Sequence, residues 1–167
     1  MYYLRELQKD DLPKINTWRN DQELITMLEA PFRYINLRVD EMWFDAYMLN
    51  RANTVRCAIV RKGDDAILGL ISLVNIDYMN QKAELHIMIG DKENQGKGIG
   101  TYAINTIIQH AFNNLNLHRI ELSVLEENLR AQHVYEKAGF VCEGCKRKAV
   151  YKNGKYVNIR MYAILKE

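Results

Sequence analysis

A strictly alternating run, Ala83 to Ile89, leads almost directly into Asn94-Gln95-Gly96-Lys97-Gly98-Ile99-Gly100-Thr101, and a long apolar-striped pattern begins before that glycine stretch has ended. Strand, glycine loop and helix in immediate succession confine the chain to an α/β architecture in which the helix packs back on a sheet. The three glycines bring backbone N–H groups close to a ligand with no Cβ in the way, and the helix points the positive end of its dipole at the same place. Such a junction favours phosphate. Two familiar phosphate loops do not fit. A P-loop requires Gly-Lys-Ser/Thr, whereas Lys97 is followed by Gly98. The dinucleotide fingerprint requires its third glycine three positions after its second, whereas Gly96, Gly98 and Gly100 are evenly spaced.

The rest of the chain reads around this junction. Tyr2 to Leu7 has strand character, and Asp10-Asp11-Leu12-Pro13 signals a helix start, with the helical stretch running to about Leu28. Residues 29–37 read as a loop, and Asp40 to Leu49 is helical again. From Thr54 the period changes to two. Val55, Cys57 and Ile59 alternate with Arg56, Ala58 and Val60, Gly63-Asp64-Asp65 supplies a turn, and Ile67 to Ile76 completes a hairpin. In the third run Ala83, Leu85, Ile87 and Ile89 share one face, with Glu84, His86 and Met88 on the other. The helix that follows carries Ile99, Ala103, Ile107, Ala111 and Leu115 on one stripe. A strand from His118 to Val124 then leads to Asn128, placed as an N-cap, and a helix running to Ala138 with Gly139 as its C-terminal cap. Phe140 to Val150 and Tyr156 to Leu165 are joined by Lys152-Asn153-Gly154-Lys155, a strong hairpin signal. The expected fold class is α/β, with a mixed, mostly antiparallel central sheet of about seven strands flanked by about four helices, in a single domain over residues 1–167.

Charge narrows the function classes. Lys plus Arg number 23 against 21 Asp plus Glu, and this balance, with no basic run interleaved with aromatics, disfavours nucleic acid. No apolar run reaches bilayer length and the first residues lack a signal-peptide core, so a soluble, cytoplasmic protein is expected, with no membrane partner. Cys57, Cys142 and Cys145 do not make a disulfide framework. Cys142-Glu143-Gly144-Cys145 has redox spacing, yet it has no second pair, no histidine cluster and no helix N-terminus, so neither redox nor metal chemistry is expected there.

Gln95-x-x-Gly98-x-Gly100 resembles the acetyl-CoA pyrophosphate loop of the GCN5-related N-acetyltransferases (GNAT). A second stretch strengthens the likeness: Asn128, Ala131, Tyr135, Gly139 and Phe140 have the spacing of that family's segment after the fifth strand. The resemblance covers residues 54–165 best and is similar to the RimJ/RimL-like branch, which includes spermidine and amino-sugar acetyltransferases; Trp18-Arg19-Asn20 is similar to that branch as well. It implies a GNAT fold and acetyl-CoA as co-substrate, with Gln95, Gly96, Lys97, Gly98, Ile99, Gly100 and Thr101 at its pyrophosphate. It implies that this strand splays from its neighbour, that Ile87, Met88 and Ile89 lie along the pantetheine arm, and that Asn128 and Ala131 meet the same arm. A backbone N–H near Met88 to Gly90 would polarise the thioester carbonyl.

The resemblance also implies that the Tyr135 phenol protonates the departing thiolate, and a phenol with a pKa of about 10 is protonated at neutral pH. From periodicity alone Tyr135 reads as a buried core residue, Asn128 as a helix cap, and Lys97 as a phosphate contact or a solvated charge. Glu84 is the candidate base, by likeness to family members with a Glu on this strand; a plain polar strand face is the other reading of Glu84 and His86. The expected reaction is direct acetyl transfer to a primary amine of a small molecule, with no covalent enzyme intermediate and no metal. Among acceptors, an amino sugar linked to a nucleotide fits Arg33, Tyr34, Arg38 and Trp43 best, a polyamine fits Glu29, Asp40 and Glu41, and a protein N-terminus needs an open groove. A non-catalytic acyl-CoA-binding module is the reading from another class. A homodimer or higher homo-oligomer is open to the terminal strands.

Overall fold

A computed structural model describes residues 1–167. Seven strands form one sheet: β1 (Tyr2–Glu6), β2 (Val55–Arg61), β3 (Ile67–Asp77), β4 (Lys82–Ile89), β5 (Arg119–Leu125), β6 (Val141–Lys152) and β7 (Lys155–Leu165). Their order is β1-β2-β3-β4-β5-β7-β6, and every neighbouring pair is antiparallel except β4 with β5. The turn between β6 and β7 places Asn153 at φ 50 and Gly154 at φ 82, the twist that an Asn-Gly hairpin provides.

Five helices cover the sheet, one more than the sequence pattern indicates. The stretch ending near Leu28 divides into α1 (Leu12–Arg19) and α2 (Gln22–Thr26), followed by α3 (Leu37–Leu49), α4 (Ile99–Asn113) and α5 (Leu129–Lys137). The division has a local cause. The Asn20 side chain donates to the Asn16 and Ile35 carbonyls, at 2.9 and 2.8 Å, and Asp21 takes an extended conformation, from which its carboxylate caps α2 at Glu23 N and Leu24 N. Asn36 begins α3 three residues before Val39 in the same way, so that helix starts earlier than the apolar repeat alone suggests.

The alternation read in β4 sorts the two faces. Ile87 and Ile89 join Ile99, Ala103, Ile104 and Ile107 of α4 and Tyr135 of α5 in the main core, where each fully buried isoleucine contributes roughly 1.5–3 kcal/mol. Met88 faces the other way, onto a smaller core of Leu12, Ile15, Trp18, Leu24, Phe44 and Tyr47 from α1, α2 and α3. The sheet is therefore covered on both faces. No helix is long and apolar enough to cross a membrane.

Trp18, Arg19 and Asn20 fasten this second layer. Trp18 Nε1 donates to Asp91 just beyond β4 (3.0 Å), and Arg19 pairs with the fully buried Asp40 of α3, which also accepts from Asn16 Nδ2 at 2.9 Å. Removing one partner of a buried pair leaves the other charge without compensation. Asp40→Ala should therefore lower the unfolding free energy by about 3 kcal/mol, seen as a lower urea midpoint at unchanged slope; a midpoint equal to that of the parent would contradict this reading of the α1–α3 contact.

Candidate active site

β4 and β5 run side by side only briefly. Their register holds at Lys82–Arg119, Ala83–Ile120 and Glu84–Glu121 and then ends. β4 nevertheless keeps its ladder to β3 as far as Ile89, and β5 keeps its ladder to β7 as far as Leu125. Two well-held strands thus diverge, and each turns an unpaired edge into the gap.

The glycine loop stands beyond the end of β4. Gly96 at φ 77 and Gly98 at φ 79 occupy the left-handed region, which a residue with a Cβ enters only under strain. Gly98 opens α4, and no side chain caps it; the first-turn amides are directed outward, as an anion site requires. A Cβ on Gly96 would lie 2.6 Å from Arg130 Nη2, so this glycine also makes room for a guanidinium over the loop. Arg130 escaped the sequence reading, although a basic residue two positions after an N-cap asparagine was the available signal.

Two cavities meet at the parted strands. The smaller, about 240 Å³, runs from the glycine loop to Tyr135. Gln95, Gly96, Gly98, Gly100 and Thr101 line its outer end, and Ile87, Met88 and Ile89 face Asn128, Ala131 and Tyr135 further in. The side chains of Lys97 and Ile99 do not line it: Lys97 is exposed, and Ile99 is buried in the main core, at 2 % exposure. The larger cavity, about 460 Å³, opens on the side of α3. Met27, Leu28, Ile87, Met88, Asn128 and Tyr135 belong to both. The arrangement suits a two-substrate reaction in which a diphosphate-bearing donor and an acceptor meet at Tyr135.

Tyr135 is 9 % exposed and packs its ring edge-on against Phe140 at 6.0 Å, with Tyr162 at 6.3 Å. Burial pushes its phenol up to about 12, and the nearby Glu29 carboxylate adds to the shift. The group is therefore a protonated donor throughout the neutral range. Asn128 serves as both cap and tie: its Oδ1 accepts from Ala131 N and its Nδ2 donates to Met27 O, each at 3.2 Å.

The larger cavity contains polar atoms that the fold does not satisfy. Glu29 Oε1 is buried with no hydrogen-bond partner, and so is Arg56 Nε. Arg56 lies 4.7 Å over the Trp43 ring, and its Nη1 has only a 3.5 Å contact to Ser72 Oγ; burial pulls its pKa down. Glu29 is the one acid in this lining. Buried polar groups are almost always paired, so an orphan carboxylate oxygen beside Tyr135 points to a ligand. Glu84 is placed differently. It stands at the last β4–β5 register pair, half exposed, with its Oε2 3.6 Å from His86 Nε2. His86 lines the larger cavity and Glu84 does not. Of the residues that favour a nucleotide sugar, Trp43 lines the cavity, whereas Tyr34 is 87 % exposed, Arg33 is exposed and Arg38 pairs with Glu41 on the surface of α3.

Residues 2–141 match the family model described as an acetyltransferase (GNAT) domain. Spermidine N(1)-acetyltransferase of Vibrio cholerae serotype O1 is 32% identical over 163 residues, covering 97% of this chain and 91% of that protein. The enzyme of the same name from Escherichia coli K12 is 32% identical over 95% of this chain and 83% of its own length. The crystal structure of the V. cholerae enzyme in complex with CoA and spermine superposes with a TM-score of 0.91 at 30% identity, over 98% of this chain and 95% of that one. The chain belongs to the GNAT family of acetyl-CoA-dependent N-acetyltransferases.

Proposed function

We propose that the acceptor is an aliphatic polyamine, acetylated on a primary amine at the junction of the two cavities. The observation that carries this reading is the buried, unpartnered Glu29 Oε1 in the acceptor cavity. An ammonium supplies the charge-assisted hydrogen bond this oxygen lacks. Arg56, the cation across the same cavity, repels a charged nitrogen and so leaves Glu29 as the favoured place for one. The likeness to spermidine acetyltransferases supports the same acceptor, in preference to the nucleotide-linked amino sugar, whose expected basic contacts lie outside the cavity.

Acetyl-CoA supplies an activated acetyl thioester. The first-turn amides of α4 and the Arg130 guanidinium are the groups suited to its diphosphate, and the free edge of β4 to its pantetheine arm. Glu29 holds the incoming ammonium and receives its proton, since an aliphatic ammonium of pKa about 10 must be deprotonated before it attacks. Glu29 takes this role in preference to Glu84 because it lines the cavity. Tyr135 delivers a proton to the sulfur as the thiolate departs.

The amine specificity is tested by thiol release on spermidine and spermine, nucleotide-linked amino sugars and short peptides. Turnover should be fastest on the polyamines; turnover on peptides or amino sugars with none on polyamines would overturn the acceptor. Glu29→Gln should raise the KM for spermidine by about 10–100-fold, the cost of one charge-assisted hydrogen bond, lower kcat by about 100-fold through loss of the proton acceptor, and leave the acetyl-CoA dissociation constant within about twofold. An unchanged KM would remove Glu29 from the site.

Tyr135→Phe should lower kcat by about 100-fold. Because the Tyr135 pKa is raised to about 12, its proton is present at every lower pH and is lost only as pH rises past that value. The rate should therefore climb with pH as the amine deprotonates and show no decline up to a pH of about 10. An alkaline decline centred near pH 8 to 9, absent in Tyr135→Phe, would contradict the environment assigned to this phenol.

A further inference from the structure

The segment that carries Glu29 is held by a lysine from the opposite end of the chain. Lys152 is the last residue of β6, at the start of the Asn153–Gly154 turn, a place where a lysine is ordinarily solvated. Instead it is 8 % exposed, and its Nζ donates to the carbonyls of Ile25, at 2.9 Å, and Ala30, at 2.8 Å. Those carbonyls bracket residues 26–29, and three residues of that interval, Met27, Leu28 and Glu29, line the acceptor cavity. The ammonium has no carboxylate partner in the salt-bridge geometry of the fold, and burial depresses its pKa.

Burying an ammonium is costly unless its protons are received, and a methionine would fill the same space without that cost. The lysine adds direction: two charge-assisted bonds that fix the distance between the ends of a short irregular segment. Ala30 precedes Pro31, which has no N–H, and α2 is only five residues long. Neither flank offers a regular ladder to hold the segment's shape. The Asn128 bond to the Met27 carbonyl anchors its middle.

We infer that Lys152 is a positioning residue for the acceptor, clamping residues 25–30 so that the Glu29 carboxylate stands over the cavity beside Tyr135. This rests on the reading of Glu29 as the group that receives the amine. Lys152 itself touches neither substrate.

The test is a double-mutant cycle on the full chain with Lys152→Met and Glu29→Gln, assayed on whichever amine the parent protein turns over fastest. Lys152→Met should raise the amine KM about tenfold, with the acetyl-CoA dissociation constant changed less than about twofold. In the Glu29→Gln background the same substitution should add less than about twofold, because the clamp acts through that carboxylate. Lys152→Arg, which retains charge and donors, should recover most of the loss. An undiminished tenfold effect in the Glu29→Gln background, or an equal loss of acetyl-CoA binding, would reduce Lys152 to a general structural contact and overturn the inference. Amide hydrogen exchange over residues 25–30 with acetyl-CoA alone supplies a readout independent of the acceptor: exchange should accelerate in Lys152→Met, or in Lys152→Gln if the methionine variant does not fold. Unchanged exchange there would overturn the clamp, whereas accelerated exchange with no polyamine turnover would uphold the clamp and count only against the choice of acceptor.

Discussion

Beyond Glu84 the β4 backbone is hydrogen-bonded on one side only, by β3, while β5 is drawn away by its unbroken ladder to β7. A strand edge in the middle of a sheet is costly because its amides and carbonyls have no partner within the fold. Everything else in the site follows from this parting. It leaves room for two cavities, it exposes Ile87 to Ile89 along one wall, and it lets Tyr135 on α5 reach the place where they join. The strands part without collapsing because each is fixed on its far side, and because α4 and α5 close one face while α1, α2 and α3 close the other.

The two cavities differ in how they use charge. The donor side is built from backbone: uncapped amides at the start of α4, two left-handed glycines and one guanidinium, all suited to an anion. In the larger cavity, proposed above for the acceptor, it is side chains that are left unsatisfied, a carboxylate oxygen of Glu29 and the Nε of Arg56, in a largely apolar lining. Backbone amides cannot vary with sequence, whereas those side chains can. One fold can therefore keep its donor and change its acceptor, which is consistent with relatives that include both spermidine acetyltransferases and a ribosomal-protein-serine acetyltransferase.

The glycine loop and the elements around it were legible in the sequence because their signals are local. Alternation in β4, three glycines, an amphipathic α4, an Asn N-cap and an Asn-Gly turn each declare themselves within a few residues, and a mixed, mostly antiparallel sheet of about seven strands follows, though not the order of its strands. The break between α1 and α2 was equally local, written in Asp21 as an N-cap, but the helical period running through it masked the signal. The acceptor half is a different matter. Glu29, Trp43, Arg56 and His86 come from a loop, a helix and two strands and converge only in three dimensions. Nothing near Lys152 in sequence indicates that a turn lysine is buried against a segment more than 120 residues away. Alternation alone puts Glu84 and His86 on one strand face, yet two residues along that face separate a group at the closed part of the sheet from one that lines the larger cavity. Of the four residues that suggest a nucleotide-linked sugar, the fold brings Trp43 to the larger cavity and leaves Arg33, Tyr34 and Arg38 at the surface.

A crystal structure of the protein with CoA would test the central claim most directly. The diphosphate should lie against Gly96 to Thr101, the pantetheine arm between β4 and α5, and the sulfur within about 3.5 Å of Tyr135 Oη. A sulfur remote from Tyr135, or an arm lying outside the gap between β4 and β5, would contradict it.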